Sequence, residues 1–274
     1  MIKLTVVADN YTDSLSLCAE HGFSCVLETE KLSILLDTGQ GMALKNNLSA
    51  LGFNNRFDIA VITHGHYDHT GGLTEALKNG VALADRLYVH ENIFAGHMKK
   101  NPDGTFSFIG VDADENNLGN LYSLTKVKGK TEIAENIFLC GEIPRYTDFS
   151  ADENLYIQTP AGCVKDPFDD EIFLVIIDDE SLVVVTGCSH CGIMNIIEHT
   201  EKLFPDYKIR SLIGGFHLFR ADESQTSQVA DYLQRKNISN LLTGHCTGID
   251  AFMTIKNTLG SSVNMTKAGL KRLV

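Results

Sequence analysis

One run of ten residues, Thr63 to Gly72, constrains this chain more than any other feature of its sequence. Its side chains of metal-ligand type are His64, His66, Asp68 and His69. The apolar segment 59–62 before the run is typical of a buried strand, and a helical pattern begins at Leu73, so the run is predicted to be a strand-to-helix loop. A rigid sheet can hold side chains on such a loop around an ion. A polar surface loop is disfavoured, because three of the ten histidines fall within six positions.

The imidazole and carboxylate groups of this loop are ligands that suit Zn²⁺, Mn²⁺ or Fe²⁺. His64 and His66 are two residues apart and can chelate one ion. Asp68 and His69 can turn toward a second ion close to the first. The loop therefore predicts a site for two divalent metal ions, with zinc the favoured metal and manganese or iron the alternatives.

The composition limits the classes of partner. The chain has 274 residues and a net charge of −12, which disfavours a nucleic-acid-binding protein because phosphate contacts need clustered lysine and arginine. A small anionic substrate stays compatible with this charge, since two divalent cations would reverse the local field. Neither a membrane span nor a signal peptide is predicted from the apolar pattern. Seven cysteines without a disulfide pattern favour reduced thiols and a cytoplasmic location. Nothing in the sequence indicates an oligomeric state.

Predicted strands and helices alternate along both halves of the chain, which is typical of an α/β fold with buried strands. No linker rich in proline, glycine or serine separates the halves, so residues 1–274 are predicted to form a single domain. The segment 87–90 is predicted as a strand, followed by a helix from Glu91. For residues 99–122 we expect a loop or hairpin excursion, which either forms a wall of the site or is a solvated loop.

Further histidines follow predicted strands in the second half of the chain. His190 comes after an apolar strand and before a helix, as in the first site, and is expected to be a metal ligand. Cys188 is either a ligand or a small buried thiol. His217 follows two glycines, which suggest close backbone approach, so we favour a substrate or catalytic role over a histidine packed beside the site. The histidines without such context are His21, His90, His97 and His199.

The motif at residues 63–72 resembles the HxHxDH signature of the metallo-β-lactamase superfamily. The segment 35–39 resembles the superfamily's strand that ends in a buried aspartate before a glycine. Residues 186–192, 214–218 and 243–248 are similar to a narrower branch. That branch is often labelled 7,8-dihydropterin-6-methyl-4-(β-D-ribofuranosyl)aminobenzene-5'-phosphate synthase or metal-dependent hydrolase. The resemblance spans nearly the whole chain and implies a four-layer αββα sandwich within the α/β class.

The chain departs from the superfamily pattern at two positions. In the wider superfamily one strand ends in Gly-Asp, and that aspartate bridges two metals, whereas here Gly187 is followed by Cys188. The superfamily also has a histidine in a Pro-Gly-His loop, whereas the nearest counterpart here, residues 159–163, has none. His190 is therefore expected to take one of the missing ligand roles, and Cys188 or another group the other.

The resemblance also implies roles for individual side chains. Asp37 would support the histidine loop, although a turn or helix-capping aspartate is the alternative. His245 would complete the second metal position, and Asp68 would ligate that metal and orient the nucleophile or carry its proton. His217 could assist the leaving group. Arg145 either binds a substrate phosphate or carboxylate or is a surface arginine.

These features predict a dinuclear metal-dependent hydrolase or transferase that acts on a small molecule. The branch resemblance favours a phosphoester or a pterin-phosphate-like substrate over a β-lactam. Two alternatives remain. One is a metal-containing binding or sensing module with little turnover, which the two departures motivate. The other is a di-iron redox protein, which is disfavoured because the chain has no appended flavodoxin-like domain.

Overall fold

The computed structural model describes residues 1–53, 56–149 and 154–274. The elements of the first half are β1 (Lys3–Ala8), β2 (Ser24–Glu28), β3 (Ser33–Leu36), α1 (Leu44–Leu51), β4 (Phe57–Val61), α2 (Tyr67–Lys78), β5 (Ala84–His90), β6 (Gly96–Lys100), β7 (Phe106–Phe108), α3 (Glu115–Leu121) and β8 (Ser123–Val127). Those of the second half are β9 (Thr131–Ala134), β10 (Ile137–Cys140), β11 (Leu155–Thr159), β12 (Gly162–Lys165), β13 (Phe173–Asp178), β14 (Ser181–Val185), α4 (Ile193–Leu203), β15 (Lys208–Gly214), α5 (Glu223–Lys236), β16 (Asn240–Thr243), α6 (Ile249–Leu259), β17 (Val263–Met265) and β18 (Lys271–Leu273).

Two seven-stranded sheets form the centre of the fold. The first has the order β18-β1-β2-β3-β4-β5-β8, and the second has the order β17-β16-β15-β14-β13-β10-β9. One apolar cluster joins the two sheets, a second packs the first sheet against α1 and α2, and a third packs the second sheet against α4, α5 and α6. The predicted four-layer αββα sandwich is therefore confirmed.

The central strands are apolar along their whole length because both of their faces are buried. In β14, Leu182 and Val184 contact the helix layer, while Val183 and Val185 face the other sheet. Alternate side chains point to opposite faces of a strand, so a strand between two buried layers needs a continuous apolar run. The run Leu182–Val185 meets this requirement.

The parallel strands place the predicted site residues at strand ends. Strand β3 is parallel to β4, and β14, β15 and β16 are parallel to one another. The side chains at these ends are Asp37 after β3, the residues from His64 to His69 after β4, Cys188 and His190 after β14, His217 after β15, and His245 after β16. Loops at strand ends can thus bring ligands from both sheets to one place.

The helix predicted from Glu91 is wrong. A hydrogen-bonded turn follows β5, in which the backbone N–H of Ile93 donates to the carbonyl of His90 at 3.2 Å. Strand β6 begins at Gly96 and pairs with β11. This pairing with a strand distant in the sequence overrides the local helical pattern. Strands β6 and β7 form an antiparallel hairpin in a small third sheet, and α3 follows within the predicted excursion. Across the described ranges, every helix is too short or too polar to cross a bilayer.

Candidate metal centre

Three imidazole side chains from two loops form the first cluster of the site. The ring centroids of His64 and His66 are 4.7 Å apart, and that of His190 lies 4.8 Å from His64 and 4.6 Å from His66. Among the described residues, no hydrogen-bond partner exists for the buried Nε2 atoms of His64 and His66 or for either ring nitrogen of His190. A buried polar group without a partner costs about 1–3 kcal/mol, so convergent nitrogens of this kind fit a metal ion.

The second cluster consists of Asp68, His69, Cys188 and His245, whose ligand atoms all lie within 4.8 Å of one another. The Sγ atom of Cys188 is 3.0 Å from Nε2 of His69 and 3.4 Å from Nε2 of His245. The same His245 nitrogen lies 3.4 Å from Oδ2 of Asp68. Nitrogen, oxygen and sulfur donors at this spacing match the ligand set of a zinc site.

Cys188 belongs to both clusters. Its Sγ atom also lies within 4.8 Å of ligand atoms of His64 and His190, and the residue is 2% exposed. This sulfur therefore occupies the space between the two groups of imidazoles. Its thiol is therefore a donor available to either group of side chains.

Two side chains orient the histidines of the second cluster. Nδ1 of His69 donates to Oδ2 of Asp37 at 2.7 Å, and Nδ1 of His245 donates to Oδ1 of Asn10 at 2.9 Å. These hydrogen bonds leave both Nε2 atoms directed at Cys188, and a ligating histidine is commonly oriented in this way. Asp37 also accepts from the backbone N–H of Thr63 at 2.7 Å, so it braces the start of the histidine loop.

Burial and charge set the protonation of the cluster. Burial lowers the pKa of His64 and His190 well below the usual value and that of His66 to about 4, so these three imidazoles are neutral, as metal ligands must be. Burial also lowers the pKa of His69, but the carboxylates of Asp37 and Asp68 outweigh it and raise this pKa to about 9. An ion at Nε2 of His69 would have to displace a proton.

Several site residues have left-handed backbone conformations. The φ angles are 56° for Asp37, 60° for Ser189, 49° for His217 and 45° for His245. Such conformations are uncommon for residues other than glycine and cluster at functional sites, where the surrounding fold must hold them. The loops thus direct their side chains inward at the expense of backbone strain.

A cavity of about 410 Å³ opens onto both clusters and reaches His66, Asp68, Cys188 and His190. The β6–β7 hairpin region forms one wall through Lys99, Asn101, Ser107 and Phe108. The segment after β15 forms another through His217, Phe219 and Arg220. The walls therefore combine cationic and aromatic side chains around the metal-ligand groups.

His217 and Arg145 have different surroundings. The His217 ring lies 4.2 Å from that of His190, and the residue lines the cavity beside Cys246. Arg145 is not among the described residues that line the cavity. Its guanidinium donates to the carbonyl oxygens of Ile143 at 3.0 Å and Pro167 at 2.6 Å. The predicted substrate contact of Arg145 has no support in this geometry.

The sequence reasoning missed several residues of the site. Nε2 of His21 lies 3.3 Å from Oδ2 of Asp68 at the cavity mouth. The buried His97 forms hydrogen bonds with Asp166 at 2.8 Å and Asp170 at 3.1 Å, and its ring is 4.9 Å from that of His66. Neither histidine follows the end of a strand, whereas the histidines predicted as ligands do. The adjacent acidic residues Asp170 and Glu171, just before β13, are a sequence clue to the network around His97.

The site geometry agrees with comparisons to known proteins. The family model described as the metallo-beta-lactamase superfamily matches residues 19–198. An uncharacterized protein of Methanocaldococcus jannaschii is 31% identical over 253 residues, which cover 92% of each chain. A second protein of that organism, a 7,8-dihydropterin-6-methyl-4-(beta-D-ribofuranosyl)-aminobenzene-5'-phosphate synthase, is 30% identical over 265 residues, which cover 91% of this chain and 89% of the relative.

A crystal structure of a metal-dependent hydrolase of the beta-lactamase superfamily superposes on the whole fold. Its TM-score is 0.86 at 28% sequence identity, and the alignment covers 100% of this chain and 99% of that chain. The family match covers more than half of the chain, and the relatives align along nearly all of it. The fold, the histidine loop and these similarities together show that the chain belongs to the metallo-beta-lactamase superfamily.

Proposed function

We propose that this protein is a dinuclear metal-dependent hydrolase or transferase that acts on a small phosphoester. The observation that carries the proposal is the convergence of two ligand clusters on Cys188 at the floor of one open cavity. Structural ions usually have closed coordination, whereas a catalytic metal needs access to substrate. The cavity supplies that access.

His64 and His190, with the neighbouring ring of His66, would hold one ion, and Asp68, His69 and His245 would hold the other. The Cys188 sulfur lies beside both groups. Divalent ions bound there would supply Lewis-acid polarisation of the substrate and a nucleophilic water at neutral pH. Imidazole and thiolate ligands favour zinc over magnesium or calcium, and manganese or iron remain the alternatives.

Asp68 would act as the carboxylate that orients the attacking water. Burial opposes its ionisation, but His69, His21 and His245 hold the pKa of Asp68 well below its usual value. The Asp68 carboxylate is therefore ionised and is a hydrogen-bond acceptor within the second cluster. His217 lies at the cavity wall next to His190, where an imidazole N–H could donate to a leaving oxygen.

The cavity walls support an anionic substrate. Lys99 of β6 and Arg220 after β15 both line the cavity, and such side chains can bind phosphate oxygens. The side chains of Phe108 and Phe219 are 56% and 48% exposed, so aromatic faces are available to a planar group. The similarity to the synthase relative also favours a pterin-phosphate-like molecule.

A binding or sensing module is the second candidate function. The replacement of a bridging carboxylate by Cys188 favours it, because a thiolate binds zinc strongly and can make the metals less reactive. A di-iron redox centre is the third candidate, and the predominance of imidazole ligands is compatible with iron.

Metal analysis combined with turnover assays tests the proposal. The purified protein is analysed for bound metals and then assayed, metal-loaded, against phosphomonoesters, phosphodiesters and cyclic phosphoesters. We expect about two equivalents of metal and phosphoester turnover that a chelator abolishes. Two bound metals without turnover of any phosphoester would favour the binding module, and an iron-specific optical spectrum would favour the redox centre.

A further inference from the structure

Two neighbouring carboxylates before β13 connect both loops that carry the first cluster. Oε1 of Glu171 accepts from the backbone N–H of His190 at 2.6 Å, and Oε2 accepts from that of Cys191 at 2.7 Å. Oδ2 of Asp170 accepts from the backbone N–H of Gly65, between His64 and His66, at 2.7 Å. We call residues 166–172 the carboxylate strap. One residue of the strap holds one ligand loop, and the next residue holds the other.

Other members of the strap contact the same loops. The backbone N–H of Ile172 donates to the carbonyl of Thr63 at 2.8 Å. The ring of Phe168 stacks on that of His190, with centroids 4.8 Å apart and an angle of 12° between planes. Asp170 and Glu171 are only 3% and 1% exposed, so solvent does not compete for these hydrogen bonds.

The strap explains how His190 can be oriented without a side-chain hydrogen bond. A ligating histidine is usually held through its second ring nitrogen, as Asp37 holds His69 and Asn10 holds His245. His190 has no such partner among the described residues. Its loop backbone is fixed by Glu171 and its ring by Phe168, so the strap supplies the constraint that a hydrogen bond supplies elsewhere.

We infer that Asp170 and Glu171 are positioning residues that set the spacing of His64, His66 and His190 and thereby the affinity of the first metal position. The inference rests on the proposed metal centre. It assigns the two metal positions to different side-chain supports, because Asp37 and Asn10 orient the rings of His69 and His245. Asp37 and the strap both bind the backbone of Thr63. Disturbing the strap should therefore weaken the first metal position more than the second.

Glu171→Gln is the sharpest variant. The amide has a single oxygen, so one of the two backbone N–H groups would face an NH₂ group instead of an acceptor. Asp170→Asn keeps an oxygen for Gly65, whereas Asp170→Ala keeps none, and this pair separates geometry from charge. Glu20→Gln is the matched control, because Glu20 is also a buried carboxylate that accepts two backbone N–H groups, from Gly41 at 3.2 Å and Ala43 at 2.9 Å.

Cobalt binding to the full chain gives a readout that does not depend on turnover. Titration with Co²⁺ against a competing chelator measures the affinity of each equivalent, and the visible spectrum reports ligand geometry. For Glu171→Gln and Asp170→Ala we expect one equivalent to bind about 10–100-fold more weakly, while the other is weakened less. Asp170→Asn should recover most of the loss, and Glu20→Gln should bind both equivalents like the wild type. Circular dichroism measures whether each variant folds. If Glu171→Gln does not fold, the comparison of Asp170→Ala with Asp170→Asn tests the inference.

Three outcomes would overturn the inference. Folded Glu171→Gln and Asp170→Ala proteins with two wild-type affinities and spectra would show that the strap does not position ligands. Equal weakening of both equivalents, also in Glu20→Gln, would show a general loss of stability. A wild-type chain that binds no Co²⁺ would remove the metal centre itself, so the proposed function and the inference would fall together.

Discussion

At the scale of single residues, Cys188 distinguishes this site from the common superfamily pattern. Its sulfur lies between the two clusters, within 4.8 Å of ligand atoms on both sides. The sequence has a cysteine at the usual position of a bridging aspartate, and a small buried thiol was favoured there over a metal ligand. In the structure this sulfur lies 3.0 Å from Nε2 of His69, which places the thiol beside another candidate ligand.

Replacing Cys188 tests whether the sulfur is a ligand. The Co²⁺-loaded wild type should show a thiolate-to-cobalt charge-transfer band in the near ultraviolet, and Cys188→Asp should lose this band while retaining the cobalt. Cys163→Ser is the control, because Cys163 lies on β12 outside both clusters. Persistence of the band in Cys188→Asp would assign it to another thiol and contradict this role.

Removing two imidazoles tests the histidine loop. The double substitution His64→Ala and His66→Ala should remove at least one equivalent of metal, because it deletes two of the three imidazoles of the first cluster. Mass spectrometry of protein purified without chelators measures the metal content. His199→Ala is the control, since His199 lies on α4 outside the clusters and should keep its metal. An unchanged content in the double variant would refute the site.

Asp68→Asn should affect turnover more than folding. The amide keeps the shape of the carboxylate but loses its negative charge, so we expect a fall in kcat of about 10²-fold or more. Steady-state kinetics at matched metal occupancy measure this effect, and circular dichroism measures folding. Near-normal turnover at full occupancy would exclude the proposed role of Asp68.

At the scale of elements, strands with two buried faces could be predicted from the sequence. A strand that depends on pairing with a strand distant in the same sequence could not. The run Leu182–Val185 indicates a strand because each side chain meets an apolar layer. The segment after β5 has no continuous apolar run of this kind. Its strand, β6, exists because it pairs with β11, which comes much later in the sequence. Local periodicity cannot detect such pairing.

An ion pair between elements predicts how stability depends on pH. Oδ2 of Asp178, at the end of β13, accepts from Arg210 of β15 at 2.6 Å, and this contact holds the pKa of Asp178 below its usual value. The stabilisation is complete above the pKa of an unfolded-state aspartate and is lost as pH falls through the lowered pKa. Asp178→Asn should therefore reduce stability by about 0.2–1 kcal/mol at neutral pH and by less in acid.

Thermal unfolding of Asp178→Asn at neutral and acidic pH measures this dependence. Asp231→Asn, on the exposed face of α5, is the control and should not change the difference between the two conditions. A constant deficit of Asp178→Asn at both pH values would show that the charge of Asp178 is not the cause.

At the scale of the whole molecule, the sequence was sufficient to predict the fold and most of the candidate side chains that meet at the site, but not the residues that support them. The ligand candidates were visible because each follows a strand in a short local pattern. The carboxylate strap was not, because Asp170 contacts Gly65 across 105 residues and His97 across 73. His21 was missed for the same reason, since its contact with Asp68 depends on how two distant loops pack.

Metal binding should stabilise the whole molecule, because ligands distant in the chain meet only in the folded state. His69 and Cys188 are 119 residues apart in sequence. A ligand that binds only the folded state stabilises it by about 2.7 kcal/mol when its concentration is 100 times Kd. The unfolding midpoint should therefore rise with added Zn²⁺ in the wild type and rise less in the His64→Ala, His66→Ala double variant. Calorimetry measures both, and equal shifts would contradict the model of shared ligands.

The unpartnered nitrogens of His64, His66 and His190 have a further consequence for the life of the protein in a cell. Without ions, the molecule would carry several buried nitrogens that no group among the described residues satisfies, each costing about 1–3 kcal/mol. This form would open more often and be degraded faster by proteases. If the proposed centre binds metal in the cell, the abundance of the protein would follow the supply of that metal, and starvation for it would lower the amount of folded protein.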